Sequence, residues 1–526
     1  MSRDCNRQTA QGVPIMPFYP IADISQFFST LAEEIKEDII SKLPERKALA
    51  LNRLSELLPT TFDLDYIKYA IVPAFLTSVY KGERLSLPMI DVIFTKQNAL
   101  PYYFWGLLYD NWEPNQEEDG LSVFIQGYAQ RGEDNRRKRI YASALTPDLY
   151  RSMYGDKVVQ FFDQLFDTKN AGKPLMRQYL DNYFDLFWNL HVGVKGDAIP
   201  PEVREIGQSF NTVLAYRDPT QEIVYQNYMK VRSLRKFLKE WIDQRVEDVV
   251  RGNVPDPQRT FVYYWIKNGE QGEDFRRKDV VFECFHNFVA LSQWGNTIYN
   301  FMSKLSHNTG DPNVQAWFEK TMTSDYDQAQ DSPFTPLDQF VMELFRTISP
   351  NTGSISAVEE VRKPAYDRYG YIITPHKATS EDPRHWENPE EFAPERYKNA
   401  PTSDQIDEAK SKQIGFAECP FHKQTFEVKD SRKAEITNSA FGTVYGITDD
   451  KEFPVCDYAG YAPFGFGYRR CPGELLTIEV FKDFFRHVWN DNIEFTKLDL
   501  PDPEKLPIGP TTVIDDNIGF TKLSHD

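Results

Sequence analysis

The feature that most constrains this chain is one cysteine, Cys471, in the stretch APFGFGYRRCPGE that runs from Ala462 to Glu474. Gly465, Gly467, Gly473 and Pro472 surround it, so the backbone there can take positive φ and approach a flat partner that a Cβ would obstruct. The run that follows, GELLTIEVFKDFFRHVW, places Leu475, Ile478, Phe481, Phe485 and Val488 at helical spacing. Cys471 therefore stands just before a helix N-terminus, where unpaired N–H groups and the helix dipole favour a thiolate over a thiol. A thiolate so placed is suited to ligate iron. The competing reading is a buried, inert cysteine in a glycine-rich turn. It leaves unexplained Arg469, two residues before the sulfur, and the aromatic Phe464, seven before it.

With 526 residues, 41% of them hydrophobic and 14% aromatic, the chain can bury a large core, and 38 phenylalanines and 28 tyrosines suit an interior that receives a flat apolar ligand. A net charge of -18 argues against nucleic acid or anionic lipid as the main partner. The five cysteines, Cys5, Cys284, Cys419, Cys456 and Cys471, are few and scattered, which fits a reducing compartment, so no disulfides and a cytoplasmic location are expected. No apolar run near the start is long enough for a signal peptide or membrane anchor, since Ala70 to Val79 is short and interrupted by Pro73.

Taken together, Phe464, Gly467, Arg469, Cys471 and Gly473 resemble the haem-binding loop of the cytochrome P-450 superfamily, the haem-thiolate monooxygenases. The resemblance implies a mainly α (α+β) fold, a helical domain with small β-sheets around a buried haem, with residues 1–20 as an N-terminal extension and 21–526 as a single domain. It makes Cys471 the axial ligand to the iron of haem b (iron protoporphyrin IX), packs Phe464 against the ligand loop and pairs Arg469 with a propionate. The family sets a basic helix against the propionates near DNRRKRIYASALTP, where Lys138 and Arg139 fall at the matching positions. Read without the resemblance, four adjacent cations are a solvated face. Arg362, in RKPAYD, lies where relatives place another propionate-binding arginine.

Amphipathic helices are expected within Ile21 to Leu58 and a small hairpin within Thr77 to Thr95. The segment RSLRKFLKEWIDQRVEDVV reads as a further amphipathic helix, in the region that roofs the substrate in the family. In FVMELFR, Glu343 and Arg346 share one helix face at i and i+3. Downstream, DPRHWENPEEFAPERY matches the family's segment after the small sheet, so Arg396 becomes the third member of a buried cluster with Glu343 and Arg346. Residues 401–460 form an insertion, read as a surface loop plus a small hairpin, and Cys419, His422 and Cys456 are spaced too loosely for a paired metal motif. The tail PIGPTTVIDDNIGFTKL reads as a turn between two strands, its tip near Thr511 to Ile514 lining the substrate site by resemblance.

Asp279 to Leu305 is a long, largely apolar helix that resembles the one crossing over the haem, and it departs from the family. Where relatives carry an acid and a threonine that deliver protons to dioxygen, one register offers Asn296 and Thr297, with Trp294 at a usual glycine, and another offers Ser292 and Gln293. Neither supplies a carboxylic acid. The alternative reading is that these polar groups bond only to backbone or water. The family points to insertion of one oxygen atom from O2 into a small apolar organic substrate, with electrons from a separate ferredoxin, flavodoxin or flavoprotein reductase. The departure raises a second enzyme class, rearrangement or cleavage of fatty-acid hydroperoxides without reductant. Against that class the cysteine loop is of the ordinary monooxygenase kind, and the arginine beside a proline expected of a peroxide-using hydroxylase is missing from this helix. A non-catalytic haem sensor or carrier is the third reading, disfavoured because it needs neither a long helix over the haem nor a substrate roof.

Overall fold

The computed structural model describes residues 136–216, 221–269, 275–329 and 334–350, the run 461–523 apart from 462, 466–470 and 511, and shorter pieces at 107–109, 120, 123, 331–332, 354–357, 371–374, 376–383, 386–398, 427–432, 443–448 and 451–457. The helices expected within Ile21 to Leu58 and the hairpin expected within Thr77 to Thr95 lie outside those residues.

Helices form the frame. In chain order they are α1 (Arg136–Ala142), α2 (Gly155–Leu165), α3 (Met176–Val192), α4 (Pro201–Tyr216), α5 (Glu222–Arg251), α6 (Phe261–Gly269), α7 (Arg277–Leu305), α8 (Pro312–Met322), α9 (Pro336–Ile348) and α10 (Glu474–Asn490). Their ends follow local chemistry. α3 and α5 stop at Gly193 and Gly252, whose φ values of 75° and 71° are left-handed and suit a residue without a Cβ. α9 starts at Pro336 behind Thr335, which exchanges a capping box with Asp338.

α7 carries the core. Every residue from Asp279 to Phe288 is buried, so this half of the helix is enclosed on all sides, as its apolar sequence predicts. Further along, Phe301 meets Phe345 of α9 at 5.4 Å between ring centroids and Phe481 and Phe485 of α10 at 5.0 and 5.4 Å. One aromatic side chain thereby joins the long helix to the helix that follows the cysteine. Among the described residues no helix is long and apolar enough to cross a membrane.

The sheets are small and antiparallel. β1 (Ser354–Ala357) pairs with β2 (Tyr371–Thr374), β6 (Ile493–Lys497) with β9 (Ile518–Lys522), and β7 (Lys505–Gly509) with β8 (Thr512–Asp515). The tail holds three strands where a turn between two is expected, and Thr512 to Ile514 lie within β8 rather than at a turn's tip. The insertion differs from expectation, because β3 (Glu427–Arg432), β4 (Thr443–Thr448) and β5 (Lys451–Asp457) form a three-stranded sheet rather than a hairpin. Pro454 argues against a strand at 451–457, since proline cannot donate to a ladder. β5 is an edge strand, with a register shift beside Pro454, and an edge is where a proline is tolerated.

Candidate cysteine-centred active site

In the loop before α10 the Cys471 N–H donates to the Phe464 carbonyl at 2.8 Å. Gly465 inside it sits at φ 80°, which a residue with a Cβ rarely adopts. Gly473 has ordinary dihedrals (φ −93°, ψ 9°), and a Cβ there would make only ordinary contacts, 3.8 Å from Cys471 Sγ and 4.0 Å from Leu145 Cδ1. Cys471 is exposed although Pro463, Gly465, Glu474 and Leu476 around it are buried. The Phe464 ring packs on Phe345 of α9, 4.9 Å between centroids. Cys284 is buried on α7, where burial pushes its thiol well up and keeps it uncharged.

Behind Phe345 lies a web around Glu343. Its carboxylate takes a two-pronged bond from Arg346, Nε to Oε2 and Nη2 to Oε1, both 2.8 Å, and a third from Arg396 Nε at 3.0 Å. The Ala393 N–H and the Tyr397 hydroxyl complete the set, each at 2.9 Å. Glu343 and Arg346 are fully buried, and such a pair persists only because its remaining donors are satisfied. They are: Arg346 Nη1 bonds the Ser380 and Pro389 carbonyls at 2.9 and 2.8 Å, and Arg396 Nη1 and Nη2 bond those of Glu387 and Glu391 at 3.0 and 2.9 Å. Burial, with the Glu343 charge second, pushes the Tyr397 phenol well above its usual range, so it remains a donor.

On the other side, α1 turns Arg137 and Lys138 inward, 5% and 1% exposed. Arg137 meets Asp279 of α7 at 3.4 Å and lies over the Phe275 ring. On α7, the Thr297 hydroxyl donates to the Gln293 carbonyl at 3.0 Å, whereas Asn296 Oδ1 accepts from Asn300 one turn on, at 2.7 Å. Trp294 Nε1 reaches Thr477 of α10 at 3.3 Å. Gly295 faces the opposite way, where the Ile508 carbonyl of β7 would lie 2.6 Å from an added Cβ.

No family model and no curated protein matches the chain. Solved structures do. The retinoic acid-bound cyanobacterial CYP120A1 aligns over 82% of this chain and 85% of its own, with a TM-score of 0.52 and 15% identity. A zebra fish cytochrome P-450 with abiraterone aligns over 87% and 93%, with a TM-score of 0.50 and 14% identity. The chain has the cytochrome P-450 fold. CYP152N1 with myristic acid is similar as well, with a TM-score of 0.50 and 13% identity over 82% of this chain and 87% of that one.

Within the cytochrome P-450 fold the described residues fit a haem. A thiol open to solvent stands before a helix N-terminus on a loop whose Gly465 has positive φ, and Lys138 is a buried cation of α1, the residue types that a haem's iron and a propionate would call on. Several expected residues lie outside the described set: Arg362, Gly467 and Arg469 altogether, and the side chains of Arg139 and Ser292. The structure brings Glu343, Arg346 and Arg396 together. It places Thr297 and Asn296 on separate bonds and does not join them. Sequence reasoning missed the Tyr397 hydroxyl and Ala393 N–H on Glu343, although Tyr397 stands directly after Arg396 in the matched PERY stretch. It also missed Arg137 as an inward cation of α1 and the bond from Trp294 to the cysteine's helix.

Proposed function

We propose that the chain is a haem-thiolate oxidoreductase that inserts one oxygen atom from O2 into a small apolar organic substrate, drawing electrons from a separate ferredoxin, flavodoxin or flavoprotein reductase. The observation that carries this reading is Cys471, an exposed thiol on a glycine-built loop at the start of α10, in a chain of cytochrome P-450 fold. Haem b bound there supplies oxygen-activating chemistry, and a thiolate ligand favours O–O cleavage. Cys471 would hold the iron, Lys138 a propionate, and the web at Glu343 would keep the loop's backing rigid through Phe345 and Phe464. Retinoic acid and myristic acid, bound to two structures of this fold, belong to the apolar class that the reading expects.

One observation favours a second reading, in which a fatty-acid hydroperoxide replaces O2 and reductant. The acids of α7 are Asp279 and Glu283 alone, the nearer 14 residues before Thr297, about 21 Å along the axis at about 1.5 Å per residue. Asn296 is held by Asn300, so no carboxylic acid on this helix lies beside Thr297 to pass it a proton.

The test is spectral and then kinetic. Purified protein should give the reduced, carbon monoxide-bound spectrum of thiolate-ligated haem, and Cys471→Ser should abolish it. A variant that keeps its cofactor and full turnover defeats the assignment. Rapid turnover of a fatty-acid hydroperoxide without reductant selects the second reading, and oxygen-dependent product formation with a reductase selects the first. Thr297→Ala should uncouple oxygen use from product if the hydroxyl relays protons, and unchanged coupling removes it from the chemistry.

A further inference from the structure

Three buried polar side chains from three helices form one directional chain. The Tyr141 hydroxyl of α1 donates to Asn287 Oδ1 of α7 at 2.8 Å. Asn287 Nδ2 stands 2.9 Å from His191 Nε2 of α3, and His191 Nδ1 stands 2.8 Å from the Phe187 carbonyl. A carbonyl only accepts, so His191 carries its proton on Nδ1 and receives the amide N–H at Nε2. The Tyr141 hydroxyl, one amide N–H of Asn287 and the His191 Nδ1–H each then have an acceptor, and the chain ends on a helix carbonyl that cannot pass a proton on. It is therefore a tie between helices and not a proton path.

Packing holds each member in register. The Tyr141 ring stacks on Trp265 of α6 at 5.0 Å and 19°, and Trp265 Nε1 donates to the Tyr141 carbonyl at 3.0 Å. His191 stacks on Phe187 at 4.1 Å. Tyr141, His191 and Asn287 are 7%, 0% and 3% exposed, and a half-satisfied polar network at that depth would cost more than an apolar core. Burial keeps both titratable members neutral, lifting the Tyr141 phenol well above its usual range, with Glu283 and Cys471 adding to the effect, and depressing His191 to about 3.

Lys138 sits three residues before Tyr141 on α1, and Thr297 sits ten after Asn287 on α7. We propose that Tyr141, Asn287 and His191 are a positioning lock that fixes the rotation of α1 against α7, and thereby the placement of Lys138 relative to Cys471 across the haem site. The lock rests on the functional reading above for its target, but its bonds belong to the chain itself. Tyr141→Phe removes one hydroxyl and keeps the Trp265 stack, and Asn287→Leu removes the centre.

The measurement is the rate at which haem leaves the loaded protein for excess apomyoglobin, with the unfolding midpoint of each variant followed in parallel. Each single variant should release haem about tenfold faster, and the double variant no faster than about the worse single, because members of one network do not add. His191→Gln, which can accept at Oε1 and donate at Nε2, should stay within about twofold of wild type while His191→Leu behaves like the other two. Release rates unchanged in Tyr141→Phe and Asn287→Leu, or effects that add in the double variant, overturn the lock even if stability falls. Should Asn287→Leu fail to fold, Tyr141→Phe and the two His191 variants decide. A wild-type protein that takes up no haem overturns the functional reading and the lock's target together. Normal uptake with unaltered variants overturns the lock alone.

Discussion

Glu343 serves five donors with two oxygens: two from Arg346 and one each from Arg396, Ala393 and Tyr397. Glu343→Ala leaves Arg346 buried and unpaired, and a buried pair broken from one side costs about 3–5 kcal/mol. Chemical denaturation should show a loss of that size, and a loss under about 1 kcal/mol, the size expected of an exposed pair, would show the web to be dispensable. His191 makes a different prediction, through its proton. Its folded value of about 3 lies below the unfolded 6.5. Between those values the unfolded chain binds a proton that the folded one refuses, so stability is complete above 6.5 and falls as pH drops toward 3. The slope from this one group is up to about 1.4 kcal/mol per pH unit. Urea midpoints taken from pH 6.5 down to 4 should fall less steeply in His191→Leu than in wild type, and parallel curves would refute the assignment. At this scale the chain is only partly readable. Glu343 and Arg346 are three apart and announce themselves, but which cations of the run Arg136 to Arg139 turn inward depends on how α1 is rotated. His191 and Asn287 are ordinary residues 96 positions apart, and nothing local in either marks the other.

The long helix α7 was legible because an enclosed helix needs apolar residues on every face, and Asp279 to Phe288 satisfy that demand while sheltering two acids. The start of α10 was legible because its glycines and its apolar spacing are local facts. What local reasoning cannot supply is which strand lies against which helix. Gly295 on α7 looks like a weak point in a helix, where glycine costs about 1 kcal/mol relative to alanine. Its purpose is visible only once β7 is in place, with the Ile508 carbonyl 2.6 Å and Tyr179 Cε1 3.0 Å from the position of a Cβ. Gly295→Ala therefore sets a propensity gain of about 1 kcal/mol against an overpacking cost of about 1–3 kcal/mol. The clash falls on backbone, which cannot swing aside, so the variant should be less stable than wild type in thermal unfolding. A more stable variant would mean that β7 does not pack there. The strand β5 shows the same limit, since Pro454 is tolerated at an edge and, among the described residues, no further strand pairs beyond it.

For the molecule as a whole, the cytochrome P-450 fold was readable from three short stretches well separated in sequence, the helix of Glu343, the PERY segment and the cysteine loop, because the fold brings the parts that carry chemistry to one place. The substrate was not readable, since apolar recognition is spread over many interchangeable side chains. A bound haem that prefers the folded chain adds stability by mass action, about 2.7 kcal/mol at a hundredfold excess over Kd. Protein loaded with haem should therefore unfold at a higher urea concentration than the same protein stripped of it, and coincident curves would show that no such ligand is held. The web at Glu343 has one more consequence. Two arginine side chains hold the carbonyls of Ser380, Glu387, Pro389 and Glu391, in a stretch where the described residues form only brief helical turns. That stretch takes much of its outline from Arg346, projecting off a helix some forty residues earlier, and the rest from Arg396 just beyond its end, much as a cloth takes the shape of the pegs beneath it. Cut free as a peptide, it would have little contour of its own, so a transplant into another scaffold would have to carry α9 along.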